Sequence, residues 1–259
     1  MNTLNETQID LNENTTVADV VAANFSAAGV FTKYGIDFCC GGKKSIKKAA
    51  EEKHAELHNL ISDLKISLSG SVNQNENFQN WNPAFLADYI ENTHHVYVRA
   101  AIERILVYAN KVAMRHGENH SEMIDVAASF ELIAEELLSH MMKEEQILFP
   151  YIRKIQSAFT NHSEISMPGF GTVLNPIRMM EHEHDNAGLL MHKINALTNN
   201  YKLKPEACTT WRILFDELKQ FEYDLHKHVH LENNILFPKA IELEQKALSI
   251  KNKTPNLSF

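Results

Sequence analysis

The chain is poor in the features that define several large classes of protein. It has only three Cys among 259 residues, so we do not expect the disulfide framework of a small secreted domain. No apolar segment reaches the roughly 18 to 20 residues that a membrane-spanning helix needs. The first residues lack both a basic start and a continuous apolar run, so they do not resemble a secretory signal. These absences predict a soluble cytoplasmic protein with no membrane partner.

Positive charge is also scarce. The chain has 25 Lys and Arg against 33 Asp and Glu, which gives a net charge of -8. Because this charge repels phosphate backbones, we expect no nucleic-acid partner. The local exception is a short run of Lys43, Lys44, Lys47 and Lys48. Such a run is typical of a solvated helix face, and a docking patch is the alternative.

Signals for β-strands are nearly absent, and helical spacing of apolar residues dominates the chain. Four long stretches show this spacing, at roughly 83–115, 121–158, 172–199 and 206–248. Four helices of this length with modest connections predict an antiparallel four-helix bundle. The predicted fold class is therefore all-α.

A polar segment rich in Asn and Ser, residues 67–80, lacks periodicity and is typical of a linker. It predicts two domains, a small helical domain at 1–66 and the bundle at 81–259. In the small domain, one helix is predicted from just after Gly42 to about Leu68.

Histidine is the residue present in excess, with fourteen copies. Two segments of the bundle carry it in a repeated pattern, SHMMKEEQILFP and KHVHLENNILFP. They match at His140 with His228, at Glu144 with Glu232, and at the final Ile-Leu-Phe-Pro, with a constant offset of 88 residues. Positions i and i+4 lie on one face of a helix, so each His and its Glu point at a common spot. The apolar neighbours place that spot in the bundle interior.

The other two helices offer rival histidines. Apolar residues follow His95 and His184 at the +3, +7 and +10 positions, whereas after His94 and His182 the +3 and +10 positions are occupied by Tyr, Arg, Asp or His. His95 and His184 are therefore predicted to face the interior. They precede the two histidines of the repeat by 45 and 44 residues, as a duplicated helix pair would require.

A metal centre accounts for these residues as a set. A buried ionised carboxylate must be paired or bind metal, because its loss of hydration is costly. A Glu can bridge two cations while imidazoles complete each shell, as in carboxylate-bridged di-iron and di-manganese sites of helix bundles. For any single residue, the alternative is a hydrogen-bonded core His or a surface ion pair. The predicted ligands are His95, His140, Glu144, His184, His228 and Glu232, while His94, His182, His226 and His230 are predicted to point outward or to surround them.

The donor set also narrows the choice of metal. Zinc prefers four closed ligands, and calcium or magnesium would take more oxygen and fewer imidazoles. Mixed imidazole and carboxylate ligation suits iron or manganese, and two ions rather than one. Four His and two bridging Glu leave coordination positions for a small ligand such as oxygen, peroxide or nitric oxide.

Five strings of the chain resemble one known family. They are SHMMKEEQILFP, EHEHDNAG, EACTTW and LENNILFP in the bundle and YGIDFCCGGKKS in the small domain. They resemble the iron-sulfur cluster repair di-iron proteins of the YtfE/ScdA type, whose C-terminal part is hemerythrin-like. The resemblance covers nearly the whole chain. It implies two carboxylate-bridged iron ions at the six predicted ligands and leaves a bridging oxo group open.

The resemblance also implies a function. Proteins of this family restore iron-sulfur clusters damaged by nitrosative or oxidative stress, so the expected partners are damaged iron-sulfur proteins that receive iron. One alternative is an enzyme that reduces nitric oxide or consumes peroxide at the same centre. Another is a hemerythrin-like sensor or carrier of oxygen or nitric oxide. A homodimer is left open.

Three positions around the ligands gain an interpretation from the resemblance. The oxygen-carrying hemerythrins have a further His four residues after the one that matches His184, where this chain has Gly188. The resemblance therefore implies that one iron is more open than in an oxygen carrier. Glu136 and Glu183 match acidic positions assigned in the family to a route to the irons, and helix-surface charges are the alternative.

Two Cys are adjacent in the string DFCCGGKK. A disulfide between neighbours strains the intervening peptide. Cys39 and Cys40 are therefore candidates for iron transfer or for redox reaction with nitric oxide or peroxide, with a buried pair in a turn as the alternative. Lys43, Lys44 and a helix N-terminus are expected to lower the thiol pKa. Cys208 is expected to be structural.

Overall fold

Helices make up nearly all of the regular structure. The computed structural model describes residues 9, 11–69 and 77–251. Within these ranges, the one β pairing is an isolated bridge between Thr16 and Ser45. The predicted all-α class is confirmed. None of the described helices is long and apolar enough to cross a membrane.

The described ranges contain eleven α-helices. The first four are α1 (Val17–Ala23), α2 (Ala27–Lys33), α3 (Ile46–Glu52) and α4 (Leu57–Leu68). The bundle is built from α5 (Pro83–Ile90), α6 (Val96–His116), α7 (Glu122–Lys143), α8 (Phe149–Thr160), α9 (Leu174–Leu197), α10 (Thr209–Leu231) and α11 (Phe237–Lys251). Three π turns, the first, second and third in chain order, lie at Glu91–His95, Glu144–Leu148 and Glu232–Leu236.

The single helix predicted after Gly42 is wrong, because α3 and α4 occupy that region. The chain leaves α3 through His54, whose φ of 53° is left-handed. The N–H of Ala55 then bonds to the carbonyl oxygen of Ala50 at 2.9 Å. This Schellman arrangement ends a helix by satisfying its last carbonyl groups. Neither Gly nor Pro marks the stop, so the apolar spacing alone does not reveal it.

The four predicted bundle helices are present as four continuous helical segments. Their bounds are 83–116, 122–160, 174–197 and 209–251. Within the bundle, α6 packs on α7, α7 packs on α9, and α5 packs on α8. Large side chains fill the core, and the rings of Phe130 and Phe221 meet edge to face at 5.2 Å.

Three of these four segments contain a π turn, in which the backbone hydrogen bonds span one extra residue. The second and third π turns end directly before a Phe-Pro pair, and Pro150 and Pro238 are the second residues of α8 and α11. Proline lacks an N–H, and its ring clashes with the carbonyl four residues earlier in an ordinary α-helix. The wider turn accommodates the proline, so the helix continues past it. This explains the Ile-Leu-Phe-Pro ending of both repeats.

The chain divides into two compact units. One comprises Met1–Trp81 with Val229–Pro238, and the other comprises Asn82–His228 with Lys239–Phe259. The domain limits drawn from the sequence, with a linker at 67–80, stay a prediction. Of that linker, residues 70–76 lie outside the described residues, and Phe78–Asn80 forms a short 3-10 turn.

A buried carboxylate ties α11 to the start of α9. Glu244 is 4% exposed. It accepts hydrogen bonds from the Tyr151 hydroxyl at 2.8 Å and from the Thr172 hydroxyl at 2.7 Å. A third comes from the backbone N–H of Val173 at 2.9 Å. Burial and the neighbouring Glu244 raise the pKa of Tyr151, so its hydroxyl remains a donor at neutral pH.

The substitution Tyr151→Phe removes one of these donors and leaves the ring in place. Because hydrogen bonds to buried charged groups are worth about 1.5–3 kcal/mol, we expect the free energy of unfolding to fall by that amount. Urea denaturation followed by circular dichroism measures the change. Tyr223→Phe is the matched control, since Tyr223 is 61% exposed and its loss should cost less than about 0.5 kcal/mol. Equal stabilities of the two variants would contradict the role of Glu244.

Candidate metal centre

The π turns place the predicted ligands. His95 is the last residue of the first π turn, and Glu144 and Glu232 are the first residues of the second and third. One helical turn before each Glu, His140 lies on α7 and His228 lies on α10. The remaining predicted ligand, His184, lies on α9. Because π turns redirect side chains and occur often at functional sites, their position at the predicted ligands points to a built site.

The structure brings all six predicted ligands together. Their ligand atoms form two groups, in each of which all the atoms lie within 4.8 Å of one another. One group is His95, Glu144, His228 and Glu232, and the other is His140, Glu144, His184 and Glu232. Both carboxylates belong to both groups. This sharing is the arrangement that two neighbouring cations need.

The imidazole nitrogens of the site converge at short distances. Nε2 of His95 and Nε2 of His140 each lie 3.3 Å from the same oxygen, Oε2 of Glu144. Nε2 of His184 lies 3.0 Å from Nε2 of His140. Two nitrogens that occupy adjacent positions of one six-coordinate ion, at about 2.1 Å each, are about 3.0 Å apart. The spacing therefore suits ligation of one ion by both rings.

Burial makes the donor set fit a metal. All six residues are at most 2% exposed, and both Glu are fully buried. Carboxylates removed from water in this way require cations, since the cost for an isolated ion is several kcal/mol. Four neutral imidazoles supply no charge of their own. Divalent or trivalent ions held by imidazole and carboxylate balance the charge.

In each group, one histidine is held by a carboxylate that contacts its Nδ1 atom, on the side of the ring away from the candidate metal site. On the His95 side, Nδ1 lies 2.7 Å from Oε1 of Glu145. Both oxygens of Glu145 accept from one guanidinium nitrogen of Arg99, at 2.8 and 2.9 Å. An ionised carboxylate only accepts hydrogen bonds, so the proton of the His95 ring sits on Nδ1. The lone pair of Nε2 then faces the site, as a metal ligand requires.

The second group repeats this device with different residues. Nδ1 of His140 lies 2.9 Å from Oε2 of Glu183, and Lys143 pairs with the other oxygen of the same carboxylate. The hydrogen bond from His140 together with Lys143 lowers the pKa of Glu183 to about 2. Glu183 therefore stays ionised at neutral pH and holds the His140 ring in one tautomer.

The other acidic position, Glu136, is exposed and lies beside Glu183 rather than against a predicted ligand. It lines a surface cavity of about 350 Å³ together with Glu183, Glu135 and Lys143. Glu183 therefore lines this cavity and also contacts Nδ1 of His140.

Sequence reasoning missed several residues that support the site. Neither Glu145 nor Arg99 was predicted, although Glu145 directly follows a predicted ligand. His94, whose position was left open between outward and surrounding, is 2% exposed. Its Nδ1 lies 2.9 Å from Asp224, and its ring stacks on His228 with centroids 5.5 Å apart. The feature of the sequence that could have predicted this contact is Asp224, which precedes the predicted ligand His228 by one helical turn.

Comparison with known proteins agrees with this geometry. The profile of the Hemerythrin HHE cation binding domain matches residues 87–240. The ScdA_N profile, described as a Domain of Unknown function (DUF542), matches residues 13–67. The chain is 35% identical over 219 residues to the iron-sulfur cluster repair protein YtfE of Citrobacter koseri, which covers 83% of this chain and 91% of the relative. The protein of the same name from Cronobacter sakazakii is 36% identical over 223 residues, covering 85% of this chain and 92% of the relative.

The chain belongs to the YtfE family of hemerythrin-domain proteins. The buried His and Glu groups are the candidate metal-binding site of this hemerythrin domain. The Cys pair lies within the residues that the ScdA_N profile matches.

The Cys pair lies in a loop held against the third π turn, within the unit that contains both. The side-chain amide of Asn234 donates to the carbonyl oxygen of Cys39 at 3.1 Å. The amide of Asn233 lies 4.0 Å from the sulfur of Cys40. Cys40, together with burial, raises the pKa of the Cys39 thiol well above its usual value. The expected lowering of the thiol pKa by Lys43 and Lys44 is therefore wrong for Cys39.

Cys208 is half-buried, with Sγ 3.2 Å from Nε2 of His116.

The substitution Glu145→Gln tests the support of His95. The amide cannot enforce one tautomer of the ring, so we expect bound metal to be lost to a chelator about 10- to 100-fold more readily. Transfer of metal from the loaded protein to a coloured chelator measures this. Glu131→Gln, an exposed change on α7, is the control and should leave the transfer unchanged. Unaltered retention in Glu145→Gln would contradict the role given to the carboxylate.

Proposed function

We propose that this hemerythrin-domain protein is a non-haem di-iron protein that repairs iron-sulfur clusters damaged by nitrosative or oxidative stress, and that it does so by donating iron. The observation that carries the proposal is that Glu144 and Glu232 are common to both groups of candidate ligands. Each carboxylate has two oxygens, so the two carboxylates could bridge two ions, with a pair of imidazoles added to each ion and positions left open.

The protein's own residues define what such a centre does. The carboxylates behind His95 and His140 hold both rings with Nε2 toward the site. The bundle core excludes bulk water from the ligands, which are almost fully buried. When bound, a pair of irons supplies redox-active metal with positions for oxygen, peroxide or nitric oxide.

Repair requires that iron reach a damaged cluster in another protein. The names of the Citrobacter and Cronobacter relatives support this activity. The cavity lined by Glu135, Glu136 and Glu183 supports it physically, because carboxylates attract a departing cation. The Cys39–Cys40 loop is a second candidate for handling iron, since it lies against the π turn that begins with Glu232.

Reduction of nitric oxide or consumption of peroxide at the same centre is the second candidate function. Gly188 favours it. A Cβ built at Gly188 would meet nothing within 4 Å, so there is open space one helical turn after His184. The oxygen-carrying hemerythrins have a further His at this position, and Gly188 supplies no such ligand.

Metal analysis tests the centre itself. We expect two irons per chain with magnetically coupled Mössbauer spectra, because shared carboxylates bring the ions close together. The double substitution Glu144→Ala and Glu232→Ala should abolish iron binding, whereas Glu131→Ala should not. The spectra also report whether an oxo group bridges the ions. One zinc per chain, or iron retained by the double variant, would overturn the proposal.

A labelling experiment separates repair from turnover. The protein is loaded with ⁵⁷Fe and mixed with an iron-sulfur protein whose cluster has been damaged by nitric oxide. Donation predicts that label appears in the restored cluster as an equal amount leaves the donor. The Glu144→Ala/Glu232→Ala variant is the control and should restore nothing. Repeated conversion of nitric oxide to nitrous oxide with full retention of label would establish the enzymatic alternative instead.

A further inference from the structure

A separate cluster of potential metal ligands lies in the small helical region. Asp37, Cys39 and Cys40 each offer one ligand atom, and these atoms lie within 4.8 Å of one another. None of them belongs to the centre in the bundle. We propose that this loop binds a single thiophilic divalent cation through both thiolates and the Asp37 carboxylate.

The loop is held in shape before any ion arrives. Oδ1 of Asp37 accepts the backbone N–H groups of Cys39 and Cys40, at 2.9 and 3.0 Å. The two following glycines make close backbone approaches, since a Cβ on Gly42 would lie 2.5 Å from the carbonyl oxygen of Phe38. Larger residues would push the loop open. Preorganisation of this kind reduces the entropy cost of gathering three ligands.

The observed distances suit a tetrahedral ion. The two sulfur atoms are 3.9 Å apart, and Sγ of Cys39 lies 3.2 Å from Oδ1 of Asp37. Around an ion with metal–sulfur bonds of about 2.3 Å and a metal–oxygen bond of about 2.0 Å, the corresponding edges are about 3.8 and 3.5 Å. Shifts of a few tenths of an ångström therefore complete the geometry. A disulfide would instead require the sulfurs to approach to about 2.05 Å and strain the peptide between neighbours.

The charges of the cluster also favour a cation. Cys40, burial and Asp37 all raise the pKa of the Cys39 thiol, because its thiolate would form in a buried place beside other acidic groups. A divalent ion removes this repulsion and displaces the thiol protons, so binding by both Cys releases two protons. Affinity should therefore fall steeply as the pH is lowered.

Accessibility indicates an exchangeable site rather than a structural one. Cys39 is buried, Cys40 is half-buried, and Asp37 is exposed. The fourth position of a tetrahedral ion is thus available to water or to an incoming ligand, as in open zinc sites. That the natural ion is ferrous iron in transit rests on the proposed function, whereas the site itself rests on its geometry.

Cobalt(II) is the probe, because thiolate-to-cobalt charge transfer absorbs in the near ultraviolet and ligation by imidazole and carboxylate does not produce it. The full chain, reduced and loaded with iron, is titrated with Co²⁺ and then with competing Zn²⁺. We expect one equivalent of thiolate-ligated cobalt. Cys39→Ser and Cys40→Ser should abolish the absorption, and Cys208→Ser should leave it unchanged.

Asp37→Asn is the sharpest variant, since its amide oxygen can still accept both backbone N–H groups while the charge is lost. We expect its cobalt affinity to fall at least about 10-fold with an unchanged circular dichroism spectrum. Absence of charge transfer at stoichiometric cobalt, or its survival in the double Cys variant, would overturn the proposal. The Glu144→Ala/Glu232→Ala variant should retain the absorption while it loses iron. The two sites can therefore fail independently.

Discussion

The burial of two carboxylates in an apolar bundle is the constraint on which the rest of this structure depends. Glu144 and Glu232 are fully removed from solvent, and each ionised carboxylate loses several kcal/mol of hydration. A protein core does not tolerate this without positive charge. Cations held between the two Glu would satisfy both, and the ligand atoms of the candidate residues accordingly lie within 4.8 Å of one another in each of the two groups.

The same constraint accounts for the surrounding charges. A neutral imidazole must direct a lone pair at a metal in order to bind it. In each group, one ring is therefore held by a hydrogen bond at Nδ1, which leaves Nε2 toward the site. Glu145 and Glu183 perform this role, and each is itself neutralised, by Arg99 and by Lys143. The negative charge of the two carboxylates that orient the rings is therefore balanced by basic side chains outside the set of ligands. The charge that remains in the core is that of Glu144 and Glu232, which bound cations would balance.

The helical periodicity of apolar residues predicted which candidate ligands are buried. The six predicted ligands lie on inward faces, and inward faces repeat every three to four residues, so His95 and His184 could be separated from His94 and His182. The repeat with its constant offset of 88 residues identified the other four predicted ligands. Sequence could not reveal the contacts that support the ligands, because Glu145 reaches His95 from a segment 50 residues away and Arg99 pairs with Glu145 across 46 residues. Nor could it reveal the end of α3 at His54, where a residue other than Gly or Asn adopts the left-handed conformation that ends the helix.

The two repeats differ in the residues that directly follow the Glu. Directly after the shared Glu, the second π turn continues with Glu145, which orients His95. The corresponding residue of the third π turn is Asn233, and its neighbour is Asn234. Their amides donate to the backbone carbonyl of Cys39 and hold the thiol loop in place. A carboxylate at either position would face that carbonyl oxygen with another acceptor and repel the loop. The third π turn therefore carries a candidate metal-binding carboxylate, Glu232, and its next two residues hold the thiol loop in place, so the geometry of that loop depends on the same π turn that positions Glu232.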